Sequence, residues 1–185
     1  MKKQFFTDYF KLIYDSIESE NHENLIKASK QIKAVSKSGK KLMIAGNGGS
    51  AAMASHVSVD FTKAAGIRAV NFNEADLLTC FSNDYGYERV FEKAVEFYGD
   101  EGDMLILISS SGSSANVVNA AKRAKELKMS VITFSGFNNH NPLSQFGDIN
   151  FWVDSKAYNI VEMTHHIWLL AIVDYIVGDI YYNAY

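Results

Sequence analysis

Residues 42–61 read LMIAGNGGSAAMASHVSVDF, and the order of their parts decides the fold. Leu42 to Ala45 form a short, continuous apolar run of strand length, GNGGS at 46–50 supplies a glycine turn, and residues 50–63 read as a helix. A strand, a turn and a helix in immediate succession make the unit from which parallel sheets are built. Continuous rather than alternating hydrophobicity in the strand means that both of its faces are covered.

The same unit recurs downstream. MLILIS at 104–109 is the most hydrophobic strand candidate; it runs into SSGSS and then a helix with Val117, Ala121 and Ala124 on one face. RAVNF (68–72), VITFS (131–135) and INFWV (149–153) complete five strand candidates. Helical stretches are expected at 74–81 and 87–97, and a long one at 159–177. Upstream, Phe5, Phe6, Tyr9, Phe10, Ile13 and Ile17 recur at helical spacing, and a second helix with Leu25, Ala28, Ile32 and Val35 follows Asn21, a capping residue. The spacing predicts an α/β fold: a three-layer, doubly wound, five-stranded parallel sheet in a single domain over residues 1–185, with residues 1–38 as an N-terminal helical extension.

Composition narrows the function. Lys and Arg number 18 against 21 Asp and Glu, a formal net charge of −3, so no global positive field is present to hold nucleic acid. The chain has 48% hydrophobic residues, well outside the signature of disorder. One cysteine, Cys80, makes no internal disulfide, and the charged N-terminus lacks a signal-peptide core, so a cytoplasmic location is expected. IWLLAIVDYIVG at 167–178 falls short of the roughly 20 residues that span a bilayer, so it reads as a buried helix and no membrane partner is expected. Tyr85, Tyr87, Phe91, Phe97 and Tyr98 stand at helical spacing and read as core or subunit packing; the tyrosines of DIYYNAY at 179–185 read as exposed.

Two loops carry the chemistry. In parallel sheets ligands sit beyond the carboxyl ends of the strands, where a helix N-terminus offers free backbone N–H groups and a positive dipole end to an anion. The first loop, Gly46 to Ser50, lets backbone approach a ligand closely. The second, Ser109, Ser110, Ser111, Gly112, Ser113 and Ser114, adds hydroxyl donors that bind a phosphate monoester without a cation. Either loop alone is equally well read as a tight turn with an N-cap; two in one sheet favour phosphate. Gly46, Gly48 and Ala51 also fit GxGxxA, the form of a dinucleotide site, but residues 66–72 lack the acidic residue that such a site places about 20 positions on.

GNGGSAAMASHVSVDF, FSNDYGYERVF and ILISSSGSSANVVNAAKRAKELKMSVITFSG together resemble the sugar isomerase (SIS) fold, and within it the bacterial phosphoheptose isomerases, over residues 39–178. The resemblance implies interconversion of sedoheptulose 7-phosphate and a glycero-manno-heptose 7-phosphate for cell-surface polysaccharide such as lipopolysaccharide. It implies a homotetramer with active sites between subunits. It also implies phosphate held by Ser50, Ser109, Ser110, Ser111 and Ser114, with Asn47 and Gly48 beside them and Asn83 and Asp84 lining the site.

Moving a proton between adjacent carbons needs a base at carbon and an acid at the neighbouring oxygen. His56 and Asp60 stand four apart on the helix after the first loop, hence on one face. Asp60 matches the family's glutamate base, one methylene shorter, with His56 on the substrate side. On the last helix Glu162 matches a family glutamate, but Val161 stands where glutamine is expected and Leu169 where the family has its catalytic histidine. His165 shares the stripe of Val161 and Leu169, and His166 pairs by spacing with Glu162. The expectation is that Asp60 acts with His165 or His166. A histidine pair in an apolar helix is otherwise an interface element, and Asp60 otherwise a surface partner of Lys63 or His56. Some phosphoheptose isomerases hold zinc through a histidine, a glutamate, a glutamine and a second histidine; Val161 and Leu169 remove two of the four, so no cofactor is expected unless His56, Asp60 and His165 converge. The rival expectation is a non-catalytic SIS module that binds a sugar phosphate as a regulator or protein adaptor.

Overall fold

The computed structural model describes residues 2–181; the tyrosines expected to be exposed at 182 and 185 lie outside that range. Helices α1 (Lys2–Glu18) and α2 (His22–Lys37) precede β1 (Leu42–Gly46), α3 (Gly49–Lys63) and β2 (Ala69–Asn71). Then come α4 (Ala75–Tyr85), α5 (Val90–Tyr98), β3 (Met104–Ser109), α6 (Ala115–Glu126), β4 (Ser130–Gly136), β5 (Ile149–Val153) and α7 (Tyr158–Val177). Asn21 caps α2 as expected, its side chain accepting from the Glu23 N–H.

The five strands pair in parallel in the order β2-β1-β3-β4-β5. Every residue of β1 and β3 is buried, because successive side chains go to opposite covered faces. Leu42, Ile44, Met104, Ile106 and Ile108 pack with Met53, Val57 and Phe61 of α3 and Trp168 and Leu169 of α7. Met43, Ala45, Leu105 and Leu107 pack with Phe91 and Val95 of α5 and Val117 and Ala121 of α6. This explains why the strand sequences run apolar without alternation.

From β1 the chain steps outward to β2 on one side, and β3 lies on the other. The crevice beyond the carboxyl ends of β1 and β3 is therefore the point where the winding reverses, the usual ligand position in such sheets. Both loops singled out above open there. Gly46 is required at the end of β1 because a Cβ would lie 2.6 Å from the Ile108 carbonyl oxygen and 2.6 Å from Ser50 Cβ.

Helix α7 is the one described helix long and apolar enough to cross a membrane, and half of it is buried, so it is a core helix. Its Trp168 indole N–H donates to the Ile17 carbonyl at 3.0 Å, which ties α1 to the sheet layer. Its opposite flank leaves Met163, Ile167 and Tyr175 exposed, and α1 exposes Phe5, Phe6, Phe10 and Tyr14. The aromatic group at 85–98 divides: Phe91 is core, Tyr85 and Phe97 pack with Phe81 under the Lys93 ammonium, and Tyr87 is drawn into the site.

Candidate functional site

A pocket of about 130 Å³ opens at the crevice, lined by Ser50 on α3, the serines at 109, 110, 111 and 114, Asn47, Tyr158 and Glu162. The volume matters: it admits a phosphate head group but is well below the ~300 Å³ of pockets that enclose a whole drug-sized ligand. A sugar carried on that phosphate has to extend beyond the pocket.

The donors come from two helix starts. Gly48, at φ 55 and ψ −120, makes a turn open to glycine and caps α3 without a side-chain bond; Ser114 precedes α6, also without one. In the first turns, Ser50, Ala51 and Val117 already donate to the Asn47, Gly48 and Ser114 carbonyls, so the N–H groups left for an anion are those of Gly49 on α3 and of Ala115 and Asn116 on α6. Ser109 and Ser114 hydroxyls approach to 3.5 Å. The pocket lining contains no Lys or Arg, so the groups it offers an anion are N–H and O–H dipoles.

Glu162 closes one wall. Its carboxylate accepts from the Ser110 hydroxyl at 3.4 Å and lies against Gly49, where a Cβ would overlap Glu162 Oε2. This contact brings the second turn of α7 onto the first turn of α3. One turn along α7, about 6 Å at 1.5 Å per residue, stands His166. Its Nε2 is 3.0 Å from His56 Nδ1, and His56 Nε2 is 3.3 Å from Asp60 Oδ2. A carboxylate and two imidazoles therefore form a row, Asp60, His56, His166, in the groove between α3 and α7. Burial, and then the neighbouring His56, hold the His166 imidazole below its ordinary value, with Asp60 opposing; at neutral pH the ring is uncharged and offers one donor and one acceptor. His56 lies outside the pocket and binds its two neighbours, not the expected substrate wall.

His165 departs from expectation. It is 0% exposed, packed beside Phe134 and Trp168, and its Nε2–H donates to the Ser135 carbonyl at 2.9 Å. It faces the sheet, away from His56 and Asp60, so it neither joins them around a metal ion nor reaches the pocket. Burial pushes its pKa down to about 4, the Ser135 bond opposing. A histidine held neutral in the fold but protonated near 6.5 once unfolded adds stability above pH 6.5 and loses it as pH falls toward 4. The loss is on the order of 3 kcal/mol. Urea midpoints of the wild type should fall more between pH 7.5 and 5 than those of His165→Gln; equal slopes would contradict this assignment.

Val161 and Leu169 are also buried in the core. The two zinc-ligand positions they occupy cannot supply donors, and among the described residues no group of three His, Cys, Asp or Glu side chains is arranged to hold a metal ion. The site does not fit that zinc centre. Asp84 sits on exposed α4, accepting from the Asn83 amide at 2.9 Å, outside the pocket lining.

Three residues at the site escaped the sequence reading. Tyr158 lines the pocket. Tyr87 donates to Asn47 Oδ1 at 2.8 Å, and Asn116 exchanges two 2.9 Å bonds with the Asn47 amide. Only Asn116 carried a signal, its place two residues after the serine loop.

Residues 5–136 match the SIS domain family; β5 and α7 lie beyond the matched stretch. The chain is 33% identical over 162 residues to the phosphoheptose isomerase of Fusobacterium nucleatum, covering 85% of this chain and 83% of that protein. It is 38% identical over 149 residues to that of Aliarcobacter butzleri, covering 77% and 78%. Among solved structures, a phosphoheptose isomerase from Neisseria gonorrhoeae superposes with a TM-score of 0.88 at 29% identity, over 96% of this chain and 98% of the other.

Proposed function

Because this chain belongs to the SIS domain family and is similar over most of its length to phosphoheptose isomerases, we propose that it interconverts an aldose and a ketose phosphate, with sedoheptulose 7-phosphate and a glycero-manno-heptose 7-phosphate as the pair. The observation that carries this reading is the row Asp60, His56, His166 one helical turn beyond a cation-free serine pocket.

The phosphate enters the pocket and is held by serine hydroxyls, Asn47 and helix N-termini. The sugar extends along the α3–α7 groove. In a seven-carbon ketose the reacting C1 and C2 lie several bonds from the phosphate, which agrees with the ~6 Å rise from Glu162 to His166. Asp60 removes a proton from C1 and returns it to C2. His166 gives its proton to the C2 oxygen as the enediol forms and accepts the proton of the C1 hydroxyl as the new carbonyl closes. His56, bonded to both, orients them. The net change moves two hydrogens within the substrate and leaves the protein as it began.

The exposed apolar faces of α1 and α7 support assembly as a homotetramer with the sites between subunits. Such an assembly would close the open side of the groove and gives Asp84 a site on a neighbouring chain. A cytoplasmic role in making heptose for cell-surface polysaccharide belongs to the same reading.

Incubating purified protein with sedoheptulose 7-phosphate, and with five- and six-carbon ketose phosphates, tests it by phosphorus NMR. Turnover is expected with the seven-carbon substrate in preference to the shorter ones. Binding of all three without any turnover would instead establish the non-catalytic sugar-phosphate module.

A further inference from the structure

We infer that Asn116 and Tyr87 are positioning residues that fix the Asn47 carboxamide as a hydrogen-bond donor to the pocket and join its two loops at a set distance; this rests on the pocket being a phosphate site.

The bonding around Asn47 leaves one orientation. The Val117 backbone N–H points at Asn116 Oδ1 at 3.0 Å, so that atom of the Asn116 side chain is the oxygen and its partner atom is the NH₂. Asn47 Nδ2 then donates to Asn116 Oδ1, and Asn116 Nδ2 donates to Asn47 Oδ1, each at 2.9 Å. The Tyr87 hydroxyl donates to the same Asn47 oxygen at 2.8 Å. Both acceptor positions of that oxygen are now filled, and one N–H of Asn47 is left over. Asn47 lines the pocket, so what it offers a ligand is a donor. An amide free to rotate would have to be ordered with its N–H toward the phosphate as the anion binds, and the fixed pair removes that cost in advance.

The same pair is a mechanical link. Asn47 belongs to the loop after β1, and Asn116, 3% exposed, to the first turn of α6 after β3. The two halves of the phosphate site come from loops 69 residues apart in sequence, and this reciprocal amide pair is a direct side-chain bond between them. Tyr87, on the turn between α4 and α5, adds a third element from outside. Pre-ordered donors bind an anion more tightly because the ordering is done before the ligand arrives.

The test is binding of inorganic phosphate and of sedoheptulose 7-phosphate by calorimetry to wild type, Tyr87→Phe and Asn116→Ala, with melting temperatures alongside. Tyr87→Phe removes one exposed hydroxyl and should keep the wild-type melting temperature while weakening both ligands about 3- to 10-fold, one hydrogen bond's worth. Asn116→Ala should weaken them at least 10-fold, and with turnover as the readout both variants should raise KM and leave kcat within about twofold. Wild-type binding of phosphate with unchanged affinity in Tyr87→Phe would overturn the positioning role while leaving the pocket in place. Failure of the wild type to bind either ligand would remove the phosphate reading, and this inference with it.

Discussion

Replacing His166 by Gln lowers kcat for the isomerisation by about 10²–10⁴, the range that a positioned acid–base group supplies, while His165→Gln keeps kcat near wild type and loses only stability. The two residues are adjacent in sequence, yet their surroundings differ completely. His165 is sealed between Phe134 and Trp168 with its N–H spent on the Ser135 carbonyl. His166 faces α3 and meets His56 at 3.0 Å. Glutamine keeps a polar group of similar reach at 166 but transfers no proton. Asp60→Asn should fall in the same range, since it removes the base while preserving shape and a hydrogen bond to His56. Steady-state rates across pH on the four proteins check this: wild-type kcat in His166→Gln would remove it from the reaction, and a large loss in His165→Gln would return the acid role to the buried ring.

The second large effect is expected at Gly46. An alanine methyl there would stand 2.6 Å from the Ile108 carbonyl oxygen and 2.6 Å from Ser50 Cβ. The first belongs to β3, paired in register with β1, and the second to the first turn of α3; neither is the free end of a flexible side chain. Something in the sheet or the helix start must shift, at a cost of about 1–3 kcal/mol for overpacking of this kind. The shift falls where the phosphate loop begins, so Gly46→Ala should both lower the urea midpoint and weaken phosphate binding by more than tenfold. Gly39→Ala is the control: its φ of +76 carries conformational strain, but a Cβ meets nothing within 4 Å, so it should cost stability and leave binding alone. Equal binding by wild type and Gly46→Ala would contradict the placement of the site at the β1–β3 crevice.

Much of the fold was legible because the strands are buried on both faces. MLILIS and INFWV coincide with β3 and β5 to the residue, and the apolar run at 42–45 is β1 less its terminal Gly46. Element ends set by tertiary contacts were less visible: α4 continues to Tyr85, four residues past the expected end, before Gly86 at φ +86 turns the chain.

The site was legible in part. Serine and glycine loops next to strand ends could be located from sequence because two of them occur in one sheet; either alone reads equally well as a tight turn with an N-cap. The histidine choice was not legible. On α7 the apolar residues surround the axis, so hydrophobic pattern does not tell which stripe faces the sheet. Val161, His165 and Leu169 form the inward stripe, and Glu162 and His166 the stripe that meets α3. Family spacing favoured the first stripe, and packing assigned it to the core. The Asn47 link to Asn116 and Tyr87 was invisible for another reason: a hydrogen bond between distant loops leaves no periodicity in either.

The central claim is that this chain moves a carbon-bound proton of a sugar phosphate by means of its own side chains. Proton NMR of sedoheptulose 7-phosphate incubated with the wild-type protein in heavy water tests it most directly. Deuterium should enter C1 of the ketose and C2 of the heptose, and the exchange should vanish with Asp60→Asn. Tight binding of the ketose phosphate with no deuterium at either carbon would contradict the claim.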